Sequence, residues 1–357
     1  MSALDVIDLS KAYNGNPVLR GVSLAIEPGE CMSLLGAPSA GKSVLLRLLA
    51  GLEQVSSGEV CVGDKPVTHL PPQLRNIALI TKNSGLYPHM SVAENLGFAL
   101  TLRRYSKDRI KSEVQQVAAE LGITPLLSAP TSTLSCAEQQ RVALARALVR
   151  APEVILLDDP FAGLAGDQSE ALREQCREAI LRLGATAIFA TSDADAALDF
   201  GHRVAALTDG QIAQVDAPAA LLDRPMTLEV ALLAARAPLV QIHGRLSEDG
   251  ARFVARDGTF LPLPMDEAPD AAFGAALVFA FRAASVRHDP ASSVKAELLT
   301  SQQLRLARRI SLRLAGTEFV LPCPLLAPTV PETDTEIGLS FDPQTCHLFD
   351  RETGQRL

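Results

Sequence analysis

Along residues 1–30 apolar and polar positions alternate in short runs: Asp5-Val6-Ile7-Asp8-Leu9, Val18-Leu19 and Val22-Ser23-Leu24-Ala25-Ile26, with Asn14-Gly15-Asn16 between them. Alternation bounded by turn residues predicts β-strands with one buried face. After Pro28-Gly29, the stretch Cys31-Met32-Ser33-Leu34-Leu35 is almost wholly apolar and predicts a short buried strand. A loop of Gly, Pro and Ser follows. A helix is expected over 42–50, ended by Gly51, where a left-handed cap favours glycine. Residues 91–150 read as mostly helical, interrupted around 125–133. Val154-Ile155-Leu156-Leu157 is a continuous apolar run, as parallel strands buried on both faces are. A helix from about Gln168 to Leu183 and a strand over Thr186–Ala190 continue the alternation of strand and helix, which predicts a mostly parallel α/β sheet.

The texture changes near Ala237-Pro238. From Gln241 onward short extended runs such as Arg252-Phe253-Val254 and Ala276-Leu277-Val278-Phe279 are separated by Gly, Pro and Asp at close intervals. That pattern predicts a small all-β domain. The expected division is therefore a first domain over 1–236 and a β-rich domain over 240–357.

Composition agrees with two domains. The chain has 357 residues, 47% hydrophobic and 21% charged, close to ordinary globular averages, so wholesale disorder is excluded. The apolar run from Ala271 to Phe281 is too short to span a bilayer. The start, MSALDVIDLS, carries acids where a signal peptide carries bases. Cys31, Cys61, Cys136, Cys176, Cys323 and Cys346 are far apart and form no C-x-x-C pair, which argues against a zinc site or a disulfide framework and fits a reducing cytoplasm. A net charge of −8 makes nucleic acid a poor first partner.

The chemistry begins at Gly36-Ala37-Pro38-Ser39-Ala40-Gly41-Lys42-Ser43, followed by Val44, which matches G-x-x-x-x-G-K-[ST] between an expected strand and an expected helix. Backbone N–H groups of such a loop turn inward as an anion nest, and the helix dipole adds positive potential where phosphates sit. Lys42 is placed to reach the β- and γ-phosphates, and the Ser43 hydroxyl to coordinate Mg²⁺. ATP or GTP binding is the strongest single expectation. Asp158 closes the apolar run Val154–Leu157; an acid at the carboxyl end of a buried parallel strand is costly unless a cation or polar site receives it. It reads as a second metal ligand or as a strand-end turn acid.

These residues, with Leu86 to Leu100 (LYPHMSVAENLGFAL), Gln140 to Pro160 (QRVALARALVRAPEVILLDDP) and Ile337 to Asp350 (IGLSFDPQTCHLFD), resemble the ATP-binding subunit of ABC importers of the maltose- and glycerol-phosphate-type carbohydrate branch over nearly the whole chain. The resemblance implies a P-loop NTPase of ABC type with an inserted helical subdomain at about 84–150, then a small all-β, OB-like accessory domain. It implies ATP and Mg²⁺ as cofactors and a head-to-tail dimer. Each nucleotide in that dimer is sandwiched between one phosphate loop and the other chain's signature. It also implies transmembrane subunits as partners, a periplasmic solute-binding protein indirectly, and a peripheral place on the cytoplasmic face of the membrane. By position Tyr13 resembles the aromatic that stacks on adenine; a half-buried strand tyrosine is the other reading.

Several matched motifs depart from the family pattern. The signature reads Leu134-Ser135-Cys136-Ala137-Glu138 in place of Leu-Ser-Gly-Gly-Gln. Side chains on Cys136 and Ala137 obstruct the close backbone approach that glycine allows, and Glu138 sets a negative charge near phosphate. The general-base glutamate is Asp159, one methylene shorter, and a displacement of about 1 Å costs on the order of a hundredfold in rate. The switch histidine is Ser192, the metal-sensing loop glutamine is Lys82, and the dimer-interface aspartate is Ala165. Lys82 either helps neutralise γ-phosphate charge or points to solvent. Together the departures imply nucleotide binding with weakened hydrolysis. They favour, slightly, a heterodimer with an unaltered ATP-binding subunit over a homodimer. The competing reading is a nucleotide-binding structural or regulatory partner that does not hydrolyse ATP.

Tyr87 and His89 are candidate contacts for the coupling helix of a membrane subunit, or members of an ordinary loop. Arg141, Arg146 and Arg150 read as a solvated helix face, and Arg305, Arg308 and Arg309 as a basic patch too small for nucleic acid. His69, His202, His243, His288 and His347 show no ligand spacing. The transported solute, whether sugar, polyol, glycerol or glycerol phosphate, is selected by other subunits.

Overall fold

The alternating start folds as two long antiparallel strands, β1 (Leu4–Tyr13) and β2 (Asn16–Ile26), with Leu4, Val6 and Leu9 buried beneath them. Asn14 (φ 50°) and Gly15 (φ 84°) both lie in the left-handed region, as a two-residue hairpin turn requires. The computed structural model describes residues 2–263, 274–303, 307–324 and 336–357. The next elements are β3 (Cys31–Gly36), α1 (Lys42–Leu49), β4 (Ser57–Val62), β5 (Lys65–Pro66) and β6 (Ile77–Thr81). Three helices follow: α2 (Val92–Leu102), α3 (Lys107–Glu120) and α4 (Cys136–Leu148). Then come β7 (Val154–Asp158), α5 (Gly166–Leu183), β8 (Thr186–Thr191), α6 (Ala194–Phe200), β9 (Arg203–Thr208) and β10 (Gln211–Asp216).

By contacts the chain divides into Met1–Pro218 and Ala219–Leu357. The first unit holds a four-stranded sheet, β2-β1-β4-β5, and a six-stranded sheet, β10-β9-β3-β8-β7-β6. In the second sheet β9, β3, β8, β7 and β6 run parallel, and β10 is antiparallel at the edge. β3 is buried at every position because β8 and β9 flank it, which is why its sequence is apolar without alternation. Leu35 pairs with Thr191 and Asp158 with Ala190, so the carboxyl ends of β3, β7 and β8 are level. In an open parallel sheet that edge is where ligands bind.

α1 packs through Leu45, Leu46, Leu48 and Leu49, all fully buried. Its last carbonyls are satisfied by Arg75, whose Nη1 donates to Leu48 O and Leu49 O at 2.8 and 3.0 Å, while Nε and Nη2 hold Leu70 O and Thr68 O. α5 ends at Leu183, with Gly184 (φ 68°) as its left-handed stop. The short helix α6 was not foreseen: Ala-Asp-Ala-Ala has no clear period, and Asp193 supplies the cap by accepting from Ala196 N.

The second unit opens with α7 (Pro218–Asp223, starting at the boundary) and α8 (Leu228–Ala234), then β11 (Leu239–Leu246), β12 (Arg252–Ala255), β13 (Phe260–Pro262) and β14 (Leu277–Arg282). It continues with β15 (Val286–His288), β16 (Lys295–Gln303), β17 (Ala307–Leu314), β18 (Thr317–Pro324), β19 (Glu336–Phe341) and β20 (Cys346–Asp350). Two five-stranded sheets, β13-β12-β11-β14-β20 and β15-β19-β16-β17-β18, form the small all-β part. Phenylalanines supply much of its core. Phe281 stands edge-on to Phe341 (centroids 5.0 Å apart) and to Phe319 (5.5 Å). Arg305 and the side chains of Arg308 and Arg309 lie outside the described residues. Among the described residues no helix is long and apolar enough to cross a membrane.

Candidate functional site

The loop after β3 is shaped for an anion. Ser39 (φ 69°) and Gly41 (φ 103°) both take left-handed backbone, the alternation that turns successive N–H groups to one side. A Cβ on Gly36 would lie 2.9 Å from Leu207 O and 3.4 Å from Lys42 Cδ; one on Gly41 would lie 2.8 Å from Leu19 Cδ2. Only glycine fits either place. Ala37, Pro38 and Ser39 are exposed, Ala40 and Val44 half-buried. Gly41 is the N-cap of α1 and gives it no side-chain cap, so the first N–H groups of this eight-residue helix have no side-chain acceptor. Lys42 folds back onto the loop, donating to Gly36 O at 2.7 Å and Ala37 O at 2.9 Å. Burial pulls its ammonium below the ordinary lysine pKa, against the opposing pull of Asp159 and Asp158. Donors gathered in this way fit a phosphate chain.

The acids complete the edge. The Ser43 hydroxyl donates to Asp158 Oδ1 at 2.8 Å, joining the loop to the end of β7 across 115 positions of sequence. A hydroxyl and a carboxylate oxygen side by side are the hard oxygen donors Mg²⁺ takes. Asp159 follows with φ 48°, a conformation costly for a residue with a side chain. Its N–H donates to Ala190 O at 2.9 Å, and its Oδ1 accepts from Thr191 Oγ1 at 3.2 Å. Burial pushes the Asp159 carboxyl up, a shift that the Thr191 hydrogen bond and Lys42 partly offset. Thr191 also accepts from Asp193 N at 3.1 Å, so one buried hydroxyl links the acid to the start of α6. Sequence reasoning missed Thr191 because only the register of β7 against β8 brings it there. Ser192, next along, is exposed.

The remaining candidates lie apart from this cluster. Lys82 is exposed just after β6, on a turn whose Thr81 carbonyl accepts from the buried Gln140. Ser135 is the N-cap of α4 in a reciprocal capping box. Ser135 N and Oγ donate to Glu138 Oε2 at 2.8 and 2.6 Å, and Glu138 N donates back to Ser135 Oγ at 3.4 Å. Glu138 therefore has a partner in its own chain, and the hydrogen bond from the Ser135 side chain holds its carboxyl below the usual range. The Ser-x-x-Glu spacing was the available signal. Cys136 is exposed and Ala137 half-buried beside it. Tyr13, 38% exposed, donates its hydroxyl to Glu53, which also pairs with Arg47 of α1 at 2.6 Å. Ala165 is the N-cap of α5 and makes no side-chain cap.

Arg146 departs from the solvated-face reading. It is half-buried and donates to Gly85 O at 2.7 Å and Ser84 O at 3.0 Å, with its guanidinium 5.5 Å from the Tyr87 ring centroid. Tyr87 also packs on Phe98 (4.9 Å), and the buried Asn95 exchanges hydrogen bonds with its backbone. These residues line part of a cavity of about 610 Å³ with Leu52, Ala147 and Arg150.

A family model for the ABC transporter matches residues 19–162. The sn-glycerol-3-phosphate import ATP-binding protein UgpC of Burkholderia ambifaria is 34% identical, covering 100% of this chain and 99% of its own. The protein of that name from Yersinia pseudotuberculosis is 32% identical over the same shares. Among solved structures, cbiO1 of Clostridium perfringens, part of the ABC transporter complex cbiONQ, superposes with a TM-score of 0.57 at 29% identity over 60% of this chain and 88% of its own. An ATP-binding cassette solved as a post-hydrolysis dimer with ADP and Pi gives 0.55 at 25% identity over 60% of this chain and 98% of its own. With an end-to-end match above 30% identity, the chain belongs to the ABC transporter family, among the ATP-binding subunits of its importers.

Proposed function

We propose that the chain binds ATP with Mg²⁺ and drives uptake of sn-glycerol 3-phosphate or a closely related polyol phosphate, with hydrolysis slower than an unaltered site would give. The contact of Ser43 with Asp158, closed over by Lys42 and Asp159, carries this reading. The solute class rests on the full-length likeness to glycerol-phosphate import proteins. In this reading Gly36 to Val44 hold the phosphate chain, Ser43 and Asp158 hold the metal, and Tyr13 lies against the base. ATP–Mg²⁺ supplies the phosphoanhydride whose cleavage resets the transporter. Asp159 accepts the proton of the attacking water; its shorter reach slows that role, while burial raises its affinity for that proton. Ser192 offers a hydroxyl where an imidazole would orient the water. Ser135 to Glu138 face the nucleotide of a second chain, Lys82 and the Tyr87–His89 loop face a membrane subunit, and the chain lies peripherally on the cytoplasmic face. The domain division follows from the same reading, with the ATP-binding part over 1–236, its helical subdomain at 84–150 and the accessory part over 240–357. An unaltered second ATP-binding subunit is the preferred partner, because a homodimer places Cys136, Ala137 and Glu138 in both sites.

Turnover by the assembled transporter tests the reading. Asp159→Asn lowers ATP hydrolysis by at least about tenfold, and the double change Asp159→Glu with Ser192→His raises it above the wild-type rate. A rate untouched by Asp159→Asn removes this chain from catalysis and leaves the non-hydrolysing partner.

A further inference from the structure

Tyr13 stands at the end of β1 with 38% of its surface exposed, so its ring is free to swing unless other groups hold it. Two side chains do. At the rim its hydroxyl donates to Glu53 Oε2. Over one face lies the Lys11 ammonium, 4.9 Å from the ring centroid, two residues back along β1. Lys11 is itself tied down, donating to Gln54 O at 2.6 Å. Both holds therefore depend on the segment at 53–54, and further hydrogen bonds lace its continuation to the end of β1. Ala12 N donates to Ser56 Oγ at 3.1 Å, and Ser56 N to Ser10 O at 2.9 Å.

Glu53 is held in turn. Arg47 Nε donates to Glu53 Oε1 at 2.6 Å, and Arg47 belongs to α1, the helix that starts at Gly41 and Lys42 of the phosphate loop. Leu52 N donates to Arg47 O at 2.9 Å, which fixes the segment to the end of the same helix. Tyr13 and Arg47 take different oxygens of the carboxylate, so neither contact displaces the other. Burial pushes the Glu53 carboxyl up, but the hydrogen bonds from Tyr13 and Arg47 outweigh it and hold the group below its usual range. The acceptor is thus ionised near neutral pH, which strengthens both contacts. With Lys11 over one face, the ring has one face left to offer a flat ligand. A ring pinned beforehand gives up little rotamer freedom when a base stacks on it.

On the reading that Tyr13 lies against the base, we infer that Glu53 is a positioning residue for nucleotide binding. By pinning the Tyr13 hydroxyl it aims the ring face opposite Lys11 at the base, and through Arg47 it sets that platform at a fixed place relative to the phosphate loop.

Calorimetric titration of the full chain separates base from phosphate, with Mg²⁺–ATP and Mg²⁺–tripolyphosphate as titrants, in an Asp159→Asn background that keeps both intact. Glu53→Ala and Tyr13→Phe, each freeing the ring, are expected to weaken ATP about three- to tenfold and to leave tripolyphosphate unchanged. The double variant binds ATP no more weakly than Glu53→Ala alone, because both changes remove the same contact. Glu53→Gln keeps an acceptor for the hydroxyl and recovers part of the loss. A merely structural Glu53 would weaken both titrants alike, because damage to α1 reaches the phosphate loop. That result, or a Glu53→Ala chain that binds ATP as tightly as its parent, overturns the inference. Tyr13→Ala checks the premise by itself: it is expected to weaken ATP about tenfold or more and to spare tripolyphosphate. If it spares ATP as well, the ring does not lie against the base and both readings fall.

Discussion

Asp159 is held against its own preference twice over. Its backbone sits at φ 48°, and its carboxyl is partly buried beside Asp158, with only Thr191 and Lys42 to favour the charged form. A carboxyl whose folded pKa lies above its unfolded value stabilises the fold fully only below the unfolded pKa. That contribution is lost as pH rises through the folded value, so at neutral pH the ionised group opposes folding. Asn carries no charge, tolerates left-handed backbone better, and keeps an oxygen for the Thr191 hydroxyl. Asp159→Asn is therefore expected to raise the melting temperature of the nucleotide-free chain at pH 7–8 by about 1–2 °C, allowing for solvent screening of a half-exposed group. The gain shrinks on acidification and its charge-dependent part is gone below about pH 3, where Asp itself is neutral in both states. Calorimetry across pH checks this; a gain independent of pH assigns the effect to backbone strain alone.

At the scale of elements, α5 begins without the aspartate the family pattern expects. Ala165 is its N-cap at φ −62°, ψ 147°, the backbone an Asp cap uses, yet no side chain accepts from the first turn. Ala165→Asp is expected to stabilise the first unit by about 1 kcal/mol, read as an upward shift of the denaturation midpoint with an unchanged slope. A lower midpoint shows that this helix start is crowded. The helix α4 shows the complementary case, because Ser135 and Glu138 satisfy its start from within. How legible each element was follows from how local its cause is. The phosphate loop, the strands β3 and β7 and the cap at Gly51 are written in contiguous residues, and the sequence reading finds them. The hydrogen bond of Thr191 to Asp159 depends on which strand lies beside which, and a one-residue slip of β7 against β8 would abolish it. The burial of Arg146 depends on the 84–85 loop lying over α4. The helices α6, α7 and α8 are too short and too alanine-rich to show a period.

For the whole molecule the decisive quantity is how two such chains associate. Each carries a net charge of −8, so self-association works against a repulsion that salt screens. In a head-to-tail dimer each signature adds Glu138 opposite bound phosphates, with Cys136 exposed where a glycine would let the backbones close. Changing Cys136→Gly, Ala137→Gly and Glu138→Gln removes one acid from each composite site and opens the approach, and Gln preserves a capping box with Ser135. The two glycines weaken the first turn of α4 by roughly 1 kcal/mol each, a local cost set against contacts made at two sites. In an Asp159→Asn background, which keeps ATP intact, sedimentation with ATP and Mg²⁺ should find the wild-type signature mainly monomeric where the triple variant is dimeric. Added salt should move the wild-type chain toward dimer more than the variant. Equal dimerisation of the two would show that this signature closes on nucleotide as it stands. That result would remove the reason for preferring an unaltered partner and leave the homodimer as the working assembly.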